Sequence, residues 1–201
     1  MESTTASRTV LDRNLFLVKE HTGIFKASNN FDIFDPQTGE KILEAREPKL
    51  GLITKLFRFT DFKRLTPFAV EIREPDGRVL VRVKRGMSFF LSSVAVEDGD
   101  GNPLGSFKQK FFSIGGAFRL LDTSGEEVAQ LKGRWTSWDF RFMTGDVEIA
   151  HIAKKWAGIG KELFTSADNY MVSIGERVGP GSPIRALILG AVVTIDMVLK
   201  E

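Results

Sequence analysis

A chain of 201 residues, 42% apolar and 27% charged, has the length for one domain with a sizeable core and the composition of a globular protein. A net charge of +2 is too small to imply a nucleic-acid partner. The absence of cysteine removes disulfides, thiolate metal sites, cysteine nucleophiles and palmitoyl anchors together, and it suits a reducing cytoplasm.

The small net charge conceals an asymmetry. Residues 1–48 hold 6 basic and 8 acidic side chains, 49–85 hold 10 and 4, and 86–201 hold 12 and 14. The middle segment therefore carries +6 and each flank −2. Such a local excess is a candidate contact for an anionic surface; the alternative is a solvated basic face without a partner.

In chain order, residues 1–12 lack the basic-then-apolar pattern of a signal peptide and are expected to form a frayed tail ahead of a single domain over 13–201. Turn signals then recur: DPQTGE (35–40), EPDGR (74–78), EDGDGN (97–102), DTSGEE (122–127) and TGD (144–146). Each joins Asp to Gly, residues that accept turn geometry cheaply. RVLVRVKR (78–85) alternates, with Val79, Val81 and Val83 on one face and Arg78, Arg82 and Lys84 on the other. That spacing predicts a half-buried strand with a basic outer side. FKQKFFSIGGAFRLLD (107–122) and EVAQLKGRW (127–135) predict further strands, with Gly115-Gly116 marking a bulge or sharp bend. The whole reads as an antiparallel meander of ten to twelve strands. PKLGLITKLFRFTDFKR (48–64) breaks the pattern and fits either a short amphipathic helix or a strand pair with a loop.

Several stretches invite a chemical reading and lose it on inspection. EDGDGNPLGSFK (97–108) sets Asp98, Asp100 and Asn102 at alternate positions, but Pro103 replaces the glycine a calcium loop needs and position 109 is Gln; a hairpin turn is expected. His21 and His151 have no paired acid motif in sequence and are expected to hydrogen-bond within strands. Trp135, Trp138 and Trp156 stand among apolar residues that suit barrel packing better than base stacking. No constellation for nucleophilic or acid–base catalysis is visible, so a non-enzymatic role is expected.

The C-terminus, RALILGAVVTIDMVLKE (185–201), is the most apolar stretch. From Ala186 to Leu199 it runs 14 residues, short of the ~20 a spanning helix needs, and Asp196 interrupts it. As a helix over 185–200 it is apolar on nearly every side and must be surrounded. A sheet closed around it does that and also removes exposed strand edges. Gly190 and Ala191 are small enough to let a strand come close. The expected fold is a closed antiparallel barrel around its own C-terminal helix.

At this point a family resemblance enters. FTSADNYMVSI (164–174) followed by PIRALILGAVVTIDMVLKE (183–201) resembles the end of the phospholipid scramblase family, with Ile195-Asp196 matching its I-D pair. EHTGIFKASNNFDIFD, RVKRGMSFF, GSFKQKFFSIGGAFRLLD and IAKKWAGIGKELFTSADNY follow the family order, so the likeness covers about residues 14–201. It is nearest to bacterial scramblase-related proteins and more distant from LURP-one-related and Tubby C-terminal domains. The resemblance implies a roughly twelve-stranded barrel around a hydrophobic helix, and calcium-stimulated movement of phospholipids. The family's calcium segment would span Ser166 to Arg177. Here Ser166 stands where the family has an acid, Asp168 and Asn169 remain, and Arg177 replaces a closing acid. One carboxylate followed by a cation is a poor divalent site, so no calcium or other cofactor is expected, and Asp168-Asn169 reads as a turn between strands.

Two functions remain open. One is a lipid-facing module at the inner face of a membrane, touching anionic headgroups through Lys55, Arg58, Lys63, Arg64, Arg82, Lys84 and Arg85. Tubby domains, which read phosphoinositides with basic side chains, add weight to it. The other is a soluble scaffold or binding barrel that recognises a protein or small molecule on its outer surface.

Overall fold

The computed structural model describes residues 9–21, 30–48, 67–86, 93–109, 118–134, 138–154 and 169–199. Among the described residues, a 3₁₀ turn, Val10–Asp12, precedes twelve strands and one helix. The strands are β1 (Leu15–Glu20), β2 (Phe31–Phe34), β3 (Lys41–Arg46), β4 (Phe68–Arg73), β5 (Val79–Arg85) and β6 (Ser93–Asp98). They continue as β7 (Pro103–Gln109), β8 (Phe118–Leu121), β9 (Glu127–Arg134), β10 (Asp139–Thr144), β11 (Val147–Ala153) and β12 (Asn169–Ile174). Every strand pairs antiparallel with its neighbours in sequence, and β1 pairs with β12 to close the barrel. The run 107–122 holds the end of β7 and the whole of β8, which pair with each other; Gly115 and Gly116 lie outside the described residues.

Alternation sets which side chains point inward. On β5, Val81 and Val83 are fully buried while Lys84 between Val83 and Arg85 is exposed. Cross-strand pairs carry the inner layer around the wall: Val70 opposite Val83, Val83 opposite Val96, Phe140 opposite Ile152, and Ile152 opposite Val172. The early turns use their aspartates as the sequence suggests. The Asp122 carboxylate accepts the N–H groups of Ser124 and Glu126, and Asp98 does the same for Asp100 and Asn102.

The helix α1 (Pro183–Leu199) fills the interior. Pro183 takes the first helical position, where a missing N–H costs nothing, and the Ser182 hydroxyl accepts the Ile184 N–H at 3.4 Å. Arg185 through Ile195 are buried without a break, so every side of this stretch faces the wall. Leu187, Ile188, Leu189, Val192, Val193 and Ile195 each contribute ~1.5–3 kcal/mol of gross burial. The side chains of Asp196 to Leu199 lie outside the described set. At Gly190 the helix comes close to the wall: a Cβ there would sit 3.1 Å from Val83 Cγ2 and 3.4 Å from Phe107 Cζ.

Residues 1–8 of the expected tail lie outside the described residues, while Val10–Asp12 take part in the fold. Val10 and Leu11 pack against the core, and the Asp12 carboxylate accepts the Gly181 N–H at 2.6 Å. Arg185 explains why residues 9–14 belong to the fold. Its buried guanidinium donates to the carbonyls of Leu11 and Arg13, to Asn14 Oδ1, and to the carbonyls of Val178 and Gly179. One side chain thereby joins the N-terminal segment, the turn before the helix and the helix itself.

Candidate functional site

Of the seven basic residues expected to meet headgroups, the structure describes three. Lys55, Arg58, Lys63 and Arg64 lie outside the described residues, as does most of the segment 48–64. Arg82 and Lys84 do face outward. Arg82 lies 3.5 Å from Glu71 on β4 and donates to the Gly99 carbonyl; Lys84 contacts Glu97 on β6 at 2.6 Å. The wall here is a ladder of alternating charge, not a basic face. Arg85 corrects the expectation outright. It shares the inward face with Val81 and Val83, is 3% exposed, and sets its guanidinium 4.7 Å from the Phe68 ring centroid. A period of two puts position 85 with 81 and 83, away from 82 and 84.

The neighbouring wall is neutralised in the same way. Glu44 on β3 holds Arg73 at 2.7 Å, Arg46 at 2.9 Å and Lys41 at 3.2 Å. Burial pushes the Glu44 carboxyl up, but hydrogen bonds from Arg73 and Lys41 and the nearby cationic charge outweigh it, leaving the pKa lowered. Asp32 is lowered on the same balance: burial raises it, and Arg46 and His21 more than offset that. His21 reaches Asp32 at 2.7 Å and His151 reaches Asp139 at 3.0 Å, so both histidines hydrogen-bond across strands.

The candidate calcium segment does not form a loop where it is described. Asn169 opens β12, opposite Lys19, and its side chain is buried; it is a strand residue, not part of a turn. Tyr170, Val172 and Ile174 belong to the core, and the backbone of this stretch is taken up by ladders to β1 and β11. Arg177 is exposed in the turn beyond. Ser166 and Asp168 lie outside the described residues. The stretch 97–108 is the β6–β7 hairpin, and its Asp98 oxygens are engaged by turn N–H groups and the Asn102 side chain. Among the described residues no three His, Asp or Glu side chains converge as metal ligands would.

The meander divides the connections into two sets whose sequences differ chemically. Connections β2–β3, β4–β5, β6–β7, β8–β9, β10–β11 and β12–α1 all lie at one end. They hold nine acidic side chains, two basic ones (Arg78 and Arg177) and no aromatic residue. The other six connections start and finish at the opposite rim. Their sequences hold ten basic and four acidic side chains, nine of the 17 phenylalanines and all three tryptophans. Lys55, Arg58, Lys63 and Arg64 belong to the β3–β4 connection of that rim.

One aromatic residue of these connections is described. Trp138, half-buried beside the start of β10, stacks on Tyr170 with centroids 4.9 Å apart and meets Phe140 edge-on at 6.1 Å. The Lys154 ammonium lies 4.4 Å from the Trp138 centroid and 5.3 Å from that of Tyr170, whose hydroxyl donates to Glu20. Trp138 packs against the core, as its sequence context suggests, but it has φ +48°, the left-handed region a bulky residue rarely adopts. Nothing in the local sequence signals that conformation. Trp135 and Trp156 lie outside the described residues.

The comparisons with known proteins agree with this architecture. The family model described as Scramblase matches residues 7–201. The yeast (Saccharomyces cerevisiae) altered inheritance rate of mitochondria protein 25 is 24% identical over 189 residues, covering 81% of this chain and 57% of that protein. Human phospholipid scramblase 2 is 23% identical over 192 residues, covering 88% of this chain and 62% of that protein. The chain thus spans less than two thirds of the length of either relative. The X-ray structure of a protein from Arabidopsis thaliana shares the fold with a TM-score of 0.52 at 15% identity, covering 91% of this chain and 90% of that one.

Proposed function

The chain belongs to the Scramblase family, and from that premise we propose that it is a non-enzymatic module that contacts anionic phospholipid surfaces. The observation that carries the reading is the division of charge between the paired strand wall and the connections. The outer wall pairs Arg82 and Lys84 with Glu71 and Glu97, so the basic surplus of the middle segment falls, in sequence, mainly to the connection between β3 and β4. Basic side chains near an anionic leaflet contribute about 1 kcal/mol each, so four reversed charges shift binding by several orders of magnitude. The interior argues for touching lipid over enclosing it, because α1 fills the space a lipid would need. No helix among the described residues is long and apolar enough to cross a membrane, which fits a peripheral contact at the inner leaflet.

Co-sedimentation with vesicles tests the reading. The chain should pellet with phosphatidylserine-containing vesicles and not with pure phosphatidylcholine, and added salt should weaken the binding. Reversing Lys55, Arg58, Lys63 and Arg64 to Glu should abolish it while leaving the thermal midpoint nearly unchanged. Charge-blind or salt-insensitive association would remove the proposal and favour a binding barrel with a protein or small-molecule partner.

A further inference from the structure

We infer that the barrel wall opens locally at the seam between β3 and β4, with the Glu44–Arg73 ion pair as its latch and α1 remaining against β4 to β7. This opening does not depend on the lipid-surface reading above.

Three observations point to this seam. First, its ladder is the shortest among the described residues. Glu44, Ala45 and Arg46 pair with Arg73, Ile72 and Glu71, whereas every other seam joins four to six positions. Both ends of the overlap have a physical stop. The Glu74 N–H leaves the sheet to donate to the Arg78 carbonyl, and Pro48, two residues past Arg46, has no N–H with which to extend the ladder.

Second, the wall charges are satisfied on each side of the seam and hardly at all across it. Arg46 stands opposite Glu71, yet its guanidinium turns back to Asp32, Glu44 and the Phe31 carbonyl. Glu71 meets Arg82 on β5, and Lys84 meets Glu97 on β6. Among the described residues, the Arg73–Glu44 contact at 2.7 Å is the one ion pair that crosses.

Third, the helix is held on one side. At Gly190 it approaches Val83, Phe107 and Val96, which belong to β5, β7 and β6, and it packs chiefly on β4 to β7. Within the seam itself, Ala45 offers a single methyl beside Ile72. Local opening therefore breaks a short ladder and one ion pair, while α1 keeps its principal contacts. It costs less than any unfolding that parts α1 from β7. The surface it uncovers is apolar: Leu43, Ala45, Val70 and Ile72 are fully buried in the closed barrel.

The chain contains no cysteine, so one introduced thiol reports one position. Ala45→Cys lies at the seam; Ala129→Cys on β9 and Ala150→Cys on β11 are equally small changes at buried core positions. With a soluble thiol reagent in native buffer, Ala45→Cys should label at least about tenfold faster than either, each rate taken relative to that of the unfolded variant. Low urea should accelerate it less than the other two, because local opening exposes less surface. Adding Arg73→Met should speed labelling at position 45 by roughly threefold to tenfold. Lys84→Met, which removes a pair on one side of the seam, should leave that rate within about twofold. Equal labelling at the three positions would mean that the barrel opens only as a whole, and equal effects of Arg73→Met and Lys84→Met would remove the latch. Hydrogen exchange of the unsubstituted chain gives a second reading. Segments 41–46 and 68–73 should exchange before 127–134 and 139–144, and the reverse order overturns the proposal.

Discussion

Arg185 offers the sharpest test of how the barrel and its helix hold together. A cation in the first turn of a helix opposes the macrodipole at a cost of ~0.3–1 kcal/mol, so helix electrostatics do not account for it. What accounts for it is the set of acceptors around it. Val178 O receives Nη2 at 2.7 Å and Nε at 3.1 Å; Arg13 O lies at 2.9 Å, Gly179 O at 3.0 Å and Asn14 Oδ1 at 2.8 Å. Arg185→Met keeps the aliphatic stem and removes every donor. The Val178 carbonyl, whose bonds to Arg185 are buried, loses both and costs about 1–3 kcal/mol; the part-buried acceptors recover some of their loss from water. A total near 3–5 kcal/mol is expected, a large share of the ~5–15 kcal/mol that folds a domain. With a urea slope of about 2 kcal/mol per molar, the midpoint should fall by roughly 2 M. Arg185→Lys should recover only a minority of that, since one ammonium cannot reach the acceptors of both segments. If Arg185→Met unfolds within about 1 kcal/mol of the native chain, the guanidinium is not the tie between tail, turn and helix.

Acid should weaken the fold through the wall carboxylates. Asp32 and Glu44 titrate below their ordinary values of 3.8 and 4.5, so they stabilise the folded state above those values and that stability is lost as pH falls through the lowered folded pKa. Urea midpoints should hold at neutral pH and decline from about pH 4.5 downward, with Asp32→Asn plus Glu44→Gln flattening the decline; an unchanged slope would refute the assignment. Gly190→Leu should lower stability by at least ~1–3 kcal/mol, because even its Cβ meets Val83 at 3.1 Å. An unshifted thermal midpoint would mean that the helix does not press on β5 and β7 there.

Much of this architecture follows from local spacing. Asp–Gly turns place the hairpins, alternation in 78–85 assigns Val81 and Val83 inward, and an apolar run with no polar face demands a sheet on every side. These are short-range statements, and side-chain direction along one strand is itself short-range. The same period assigned Arg85 inward, but its charge made an outward reading tempting; the Phe68 ring that receives it lies 17 residues earlier.

What tertiary structure alone decided is which of the wall charges meet. Arg82 meets Glu71 and Lys84 meets Glu97 only because β4, β5 and β6 align in one register. The acceptors of Arg185 come from residues up to 174 positions away. The strained Trp138 is fixed by Tyr170, brought beside it through strand order. Spacing along a chain encodes the face a side chain takes. Its partners depend on register between strands, a property of the assembled sheet and of no single segment.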